Sequence, residues 1–139
     1  MPMSGLMADS IHVGTVDATG SPVFYWIAPE RCVIEAIYMV NTTGHVVHGT
    51  NNTVFTVTNL GQAGAGTAVV AAQTNDSDVA GYVAITALVP YSITVAAAYA
   101  EMVANDVIKI VVTEGAAAQD LAAASFQIRY RRGCGLYYT

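Results

Sequence analysis

From Val23 onward the chain alternates between short runs of apolar, β-branched and aromatic residues and clusters of Asn, Asp, Gly and Pro. β-Branched and aromatic side chains suit a pleated, half-buried backbone, and the intervening residues favour turns. The pattern predicts strands over residues 23–27, 32–40, 53–58, 66–74, 83–88, 93–99, 107–113 and 123–131. Within "ITVAAAYAEMVAND", Ala, Glu and Met suit one or two helical turns before Asn105-Asp106. About eight short strands with frequent turn signals predict an all-β, single-domain β-sandwich. Gly5, Gly14 and Gly20 interrupt the first segment, so residues 1–20 read as an extended N-terminal arm that is mobile unless a partner orders it. Residues 21–131 then form the sandwich and 132–139 a C-terminal tail.

Gly61, Gly64 and Gly66 lie between two of these runs and raise the question of a phosphate-binding loop. Such a loop needs Lys-Ser or Lys-Thr at the start of a following helix. Here Thr67-Ala68-Val69-Val70 follows, and the chain's one lysine is Lys109. The dinucleotide fingerprint has its glycines in the opposite order and also needs a helix. The glycines therefore predict a β connection.

Two runs barely alternate. "VFYWIA" and "CVIEAIYMV" are apolar on both sides, with Glu35 the one charge in the second. A strand apolar on both faces is normally covered on both, one by the core and the other by a neighbour. Composition strengthens this: 54% of the 139 residues are hydrophobic and 11% charged, against about 25% charged in a typical soluble domain. No apolar run approaches the ~18–20 residues of a membrane helix. The excess therefore predicts burial against other copies or another protein, not a membrane partner.

The net charge of −5 argues against nucleic acid as a partner. Three of five basic residues nevertheless crowd into "QIRYRRGCGLYYT". Alternation predicts a last strand with Gln127, Arg129 and Arg131 outward and Phe126, Ile128 and Tyr130 inward. A basic, aromatic ending also makes Arg129, Arg131, Arg132, Tyr137 and Tyr138 candidate interface residues, since Arg and Tyr are enriched in interfaces.

Catalytic and metal chemistry is not legible. His45 and His48 supply two of the four ligands zinc requires, and in extended backbone they point apart, so both read as polar residues of an exposed loop. Asp76 and Asp78 lack the later glutamate of a calcium loop and read as a solvated turn. There is no G-x-S-x-G. Cys32 and Cys134 form neither a disulfide framework nor a C-x-x-C motif. The expectation is no enzyme, no catalytic residues, no metal and no cofactor. The opening "MPMSGLMADSIHVGT" lacks the features of a signal peptide, which predicts synthesis in a reducing cytoplasm. The three Asn-x-Ser/Thr matches, at Asn41, Asn51 and Asn75, then read as accidents of composition.

The order "APERCVIEAIYMVNTTG", "GTNNTVFTVTNLGQAGAGTAVVAA", "NDVIKIVVTEG", "SFQIRY" resembles small jelly-roll proteins of tailed bacteriophage virions, of the head decoration, cement or head-fibre type. The resemblance spans roughly residues 22–131. It implies a jelly-roll β-sandwich that trimerises, binds the major capsid protein and stabilises the outer capsid surface, with no cofactor. It implies a virion location after synthesis in the host cytoplasm. The alternative function is a carbohydrate- or receptor-binding sandwich of a tail fibre or spike, stacking sugars on Tyr25, Trp26, Tyr137 and Tyr138; for Trp26, core packing is preferred because its neighbours are apolar. A β-sandwich enzyme with scattered acidic residues is a third class.

Overall fold

The computed structural model describes residues 5–16, 21–115 and 118–132. Among these residues nine strands run β1 (Leu6–Val16), β2 (Val23–Ile27), β3 (Cys32–Val40), β4 (Thr53–Asn59), β5 (Ala68–Thr74), β6 (Tyr91–Val95), β7 (Glu101–Met102), β8 (Val107–Glu114) and β9 (Leu121–Arg132). Burial alternates along β3, β4, β8 and β9, which places every second side chain in one core.

The strand order is β1-β9-β3-β6-β5-β4-β8-β2, with β7 attached to β3. The pairs β4·β5, β3·β6, β2·β8 and β1·β9 are all antiparallel and nest inside one another. The chain is thus one long antiparallel ribbon, with the β4–β5 hairpin at its tip, wound round a core into two sheets. That is the jelly-roll order, and the protein is an all-β, single-domain sandwich. One sheet is β1-β9-β3-β6 and the other β2-β8-β4-β5, joined by Ala71↔Val95 and Ala72↔Thr94. Between the sheets, Phe24, Phe126, Phe55 and Tyr91 form a file of rings with successive centroids 5.8, 6.0 and 5.4 Å apart.

Three expectations are corrected. Residues 6–16 are not a free arm: β1 pairs along β9 from Leu6↔Arg131 to Val16↔Leu121. Gly14, read as a break, has φ +70° where the register shifts, so it forms a β-bulge within the strand. Residues 83–88 form no strand: they make the isolated bridge His45↔Ile85, and the Val83 and Leu88 amides donate to the Thr74 and Asn41 carbonyls. Both edges of β5, the strand they follow, are already taken by β4 and β6, so the run cannot extend the sheet beside it. Residues 96–99 leave β6 and turn as a short 3-10 helix, Ala97–Tyr99, where the composition suggested a helical turn.

The glycine loop is the β4–β5 connection. Gly61 and Gly64 have φ of +67° and +75°, and a Cβ on Gly66 would lie 2.4 Å from the Asn59 carbonyl oxygen. Backbone geometry accounts for all three glycines. Among the described residues, no helix is long and apolar enough to cross a membrane.

Candidate interaction surfaces

The two sheets present different outer faces. On the β1-β9-β3-β6 face, cross-strand register aligns Ser10, Gln127, Tyr38 and Ser92 in one row and His12, Ser125 and Val40 in the next. Together with Arg129 and Pro90 they line an open groove of about 400 Å³. His12 Nδ1 and Ser125 Oγ are 2.8 Å apart. The Arg129 guanidinium lies 4.7 Å from the Tyr38 ring centroid, and its Nε donates to Gln127 Oε1 over 2.7 Å. Stacking and hydrogen bonding thus hold this cation in place over the groove.

The three C-terminal arginines differ. Arg131 forms a forked pair with Glu35, through Nε to Oε1 and through Nη2 to Oε2 at 3.1 Å. That contact holds the Glu35 carboxyl below its ordinary pKa. Arg132 pairs with Glu30. Arg129 has no carboxylate partner among the described residues. Arg129 and Arg131 project outward on β9, with Phe126, Ile128 and Tyr130 buried, as the alternation predicts. Tyr137, Tyr138 and Cys134 lie outside the described residues, so the structure brings together only part of the expected basic and aromatic cluster.

The β2-β8-β4-β5 face is flatter in chemistry. Its rows read Val23, Val111, Thr56, Ala72 and Tyr25, Lys109, Thr58, Val69, with Lys109 the one charge among them. Tyr25 is 58% and Ile27 59% exposed, on a strand that ends the sheet order. Trp26 points the other way. It is 7% exposed, packs 5.4 Å from the Tyr130 ring and donates from Nε1 to Asp9 Oδ2. Its surface is therefore not open to a sugar, and only Tyr25 of the described stacking candidates is.

One end of the sandwich is tied by a buried polar hub that the sequence did not reveal. His45, read as exposed, is 5% exposed. The Gln119 amide donates to its Nε2 over 3.1 Å. Nε2 is thus the unprotonated nitrogen, and Nδ1 lies 2.8 Å from Thr53 Oγ1 and 2.9 Å from the Asn75 side-chain nitrogen. Thr53 in turn donates to Glu114 Oε2 over 2.7 Å. Asn75 joins through Oδ1, which accepts from the Thr53 amide. Burial, with His48 nearby, lowers the His45 pKa. Burial raises Glu114 to about 7; Thr53 opposes that rise and Asp120 adds to it. His48 is exposed and its Nδ1 accepts from the Thr50 and Asn51 amides, so the two histidines share no ligand. Asp76 Oδ1 caps its own turn by accepting from the Asp78 amide. Among the described residues no group of three or more His, Cys, Asp or Glu side chains is placed to hold a metal ion. Cys32 is buried and its thiol pushed up to about 11 by burial and by Glu30, Asp106 and Asp9, which makes it a packing residue and a poor nucleophile.

No protein-family model and no curated protein sequence matches the chain. Among solved structures, one described as "Structure of infectious bursal disease virus Gx strain" is similar at 14% identity and a TM-score of 0.33, over 92% of this chain and 38% of that one. The fold assignment here stands on strand order and register, independently of that likeness.

Proposed function

We propose that this protein is a non-catalytic, self-associating structural component of a virion. In this reading it decorates or cements the outside of a tailed-phage capsid and binds the major capsid protein. The observation that carries the proposal is the division of labour between its two outer faces. One face ends in an exposed apolar edge suited to another protein chain, and the other carries a fixed, outward-pointing cation without an acidic partner among the described residues. A chain with so few charges and so much exposed aliphatic surface gains by burying that surface in an assembly. The resemblance of its strand and loop pattern to small virion jelly rolls supplies the capsid context.

The test is co-sedimentation of purified protein with capsids that lack it. Saturable binding and a raised capsid melting temperature are expected; protein that stays in the supernatant at every concentration overturns the reading. A second reading, binding of a carbohydrate, is favoured by one observation: the groove, of about 400 Å³, is within the size range of small-molecule clefts and combines Tyr38 with several hydrogen-bonding side chains. Retention on a glycan array by the parent, lost in Tyr38→Ala, would replace the capsid reading with this one.

A further inference from the structure

β2 is an end strand, paired on one side with β8 and on the other with no strand among the described residues. Its hydrogen-bond phase can be read from the flanking contacts. The Val112 amide donates to the Pro22 carbonyl and the Ala28 amide to the Asp106 carbonyl. In an antiparallel pair the hydrogen-bonded positions alternate. Residues 22, 24, 26 and 28 therefore face β8, while the N–H and C=O groups of Val23, Tyr25 and Ile27 face the open edge. The same three residues carry the exposed apolar side chains of the strand. Natural edge strands are usually blunted by charge, internal proline or a bulge. β2 has none of these within its five residues, and its register with β8 is unbroken.

We infer that β2 pairs antiparallel with β2 of a second copy of this chain, across a two-fold axis at Tyr25. That register sets Tyr25 against Tyr25 of the partner subunit and Val23 against Ile27 of the partner subunit. Every outward N–H then meets an outward C=O, giving six backbone hydrogen bonds with no unmatched group. An edge centred on one residue, with β-branched residues two positions either side, is complementary to itself. Another protein's strand would have to supply that match. The two β2-β8-β4-β5 sheets become one, and the exposed Val23, Tyr25 and Ile27 side chains are covered in a continuous row. The strand contact is smaller than the ~800 Å² per partner of a standard interface, so association at micromolar concentrations is expected rather than an obligate dimer. The inference rests on the self-association reading and specifies its contact.

Two measurements test it, both in a Cys134→Ser background. Opposed hydrogen-bonded residues in an antiparallel pair have Cα atoms about 5.5 Å apart, within disulfide reach. Tyr25→Cys should thus form a cross-linked dimer under diamide, while Tyr99→Cys, exposed elsewhere, should not. By light scattering, Ile27→Lys should weaken association at least tenfold, whereas Val69→Lys, on the same face but far from the edge, should leave it within twofold. Far-UV circular dichroism identical to the parent confirms that each variant is folded. If the parent associates but Tyr25→Cys does not cross-link and Ile27→Lys has no effect, β2 pairing is wrong and self-association stands. A three-chain mass without the cross-link likewise overturns β2 pairing and leaves self-association intact. A parent that stays a single chain at every concentration overturns both.

Discussion

Trp26 Nε1 donates to Asp9 Oδ2 over 2.8 Å, and this bond joins β2 to β1, the two strands that end the sheet order. No backbone ladder between described strands closes that seam, so a side-chain contact does. Asp9 is half-buried, and a hydrogen bond to a charged acceptor contributes about 1.5–3 kcal/mol. Asp9→Ala should lower stability by roughly that amount. Trp26, the chain's one tryptophan, reports the seam directly. Its emission should shift in Asp9→Ala before global unfolding, and coincident shift and unfolding midpoints would show that the seam does not open alone.

The Tyr91 hydroxyl is buried with no hydrogen-bond partner among the described residues, and burial pushes its pKa up. The ring itself is well placed, 5.4 Å from Phe55. Tyr91→Phe keeps the ring contact and removes an unsatisfied polar group. It should stabilise by about 1 kcal/mol, raising Tm by roughly 3–5 °C in a domain of this size. A lower Tm in thermal denaturation would mean that the hydroxyl has a partner in solution.

The polar hub predicts a specific pH dependence. Glu114 titrates near 7 in the folded chain against an ordinary 4.5. Between those values the native state holds a proton the unfolded chain has lost, so this group's contribution is complete below about 4.5 and disappears as pH rises through 7. His45 acts in the opposite sense. Its folded pKa is lowered, so its contribution is present above the ordinary 6.5 and is lost as pH falls through the folded value. Glu114→Gln keeps an acceptor for Thr53 but cannot ionise. The variant should be more stable than the parent at about pH 8, with the difference shrinking steadily towards pH 5. Parallel denaturation midpoints for the two proteins across that range would exclude Glu114 as the titrating group.

What was legible in the sequence is local run composition and, on the last strand, period two. Apolar, β-branched and aromatic runs bounded by turn residues placed β2 and β3 at the residues where they lie, and alternation set Arg129 outside and Ile128 inside on β9. Local chemistry misled where glycine has two meanings: Gly14 is a bulge inside a strand, whereas Gly61 and Gly64 close a hairpin. Composition alone does not separate these, because both need positive φ. The run 83–88 has strand composition but finds both edges of the neighbouring β5 occupied, and that is decided by β4 and β6. The bond between Asp9 and Trp26 and the chain His45, Thr53, Glu114 depend on which loops meet in space. His45, isolated in the sequence, is the clearest case: its partners come from positions 53, 75 and 119.

The last prediction separates the arginines that the sequence grouped. Arg131 and Arg132 each pair with a carboxylate of the same chain, so either must break an existing contact to bind an acidic partner. Exposed pairs of this kind contribute only about 0–1 kcal/mol to stability, which makes both variants safe to build. Arg129 stacks on Tyr38 and bonds Gln127, leaving its charge unneutralised by any carboxylate among the described residues. If the polar face docks on an acidic capsid surface, Arg129→Glu should weaken capsid co-sedimentation at least tenfold at 0.1 M salt. Arg132→Ala should change it less than threefold. Raising salt to 0.5 M should weaken the parent towards the Arg129→Glu level, because screening acts on the same contact. Tyr38→Leu, which removes the stacking platform but no charge, should give an intermediate loss. Equal binding by Arg129→Glu and the parent would place the capsid contact elsewhere on the molecule.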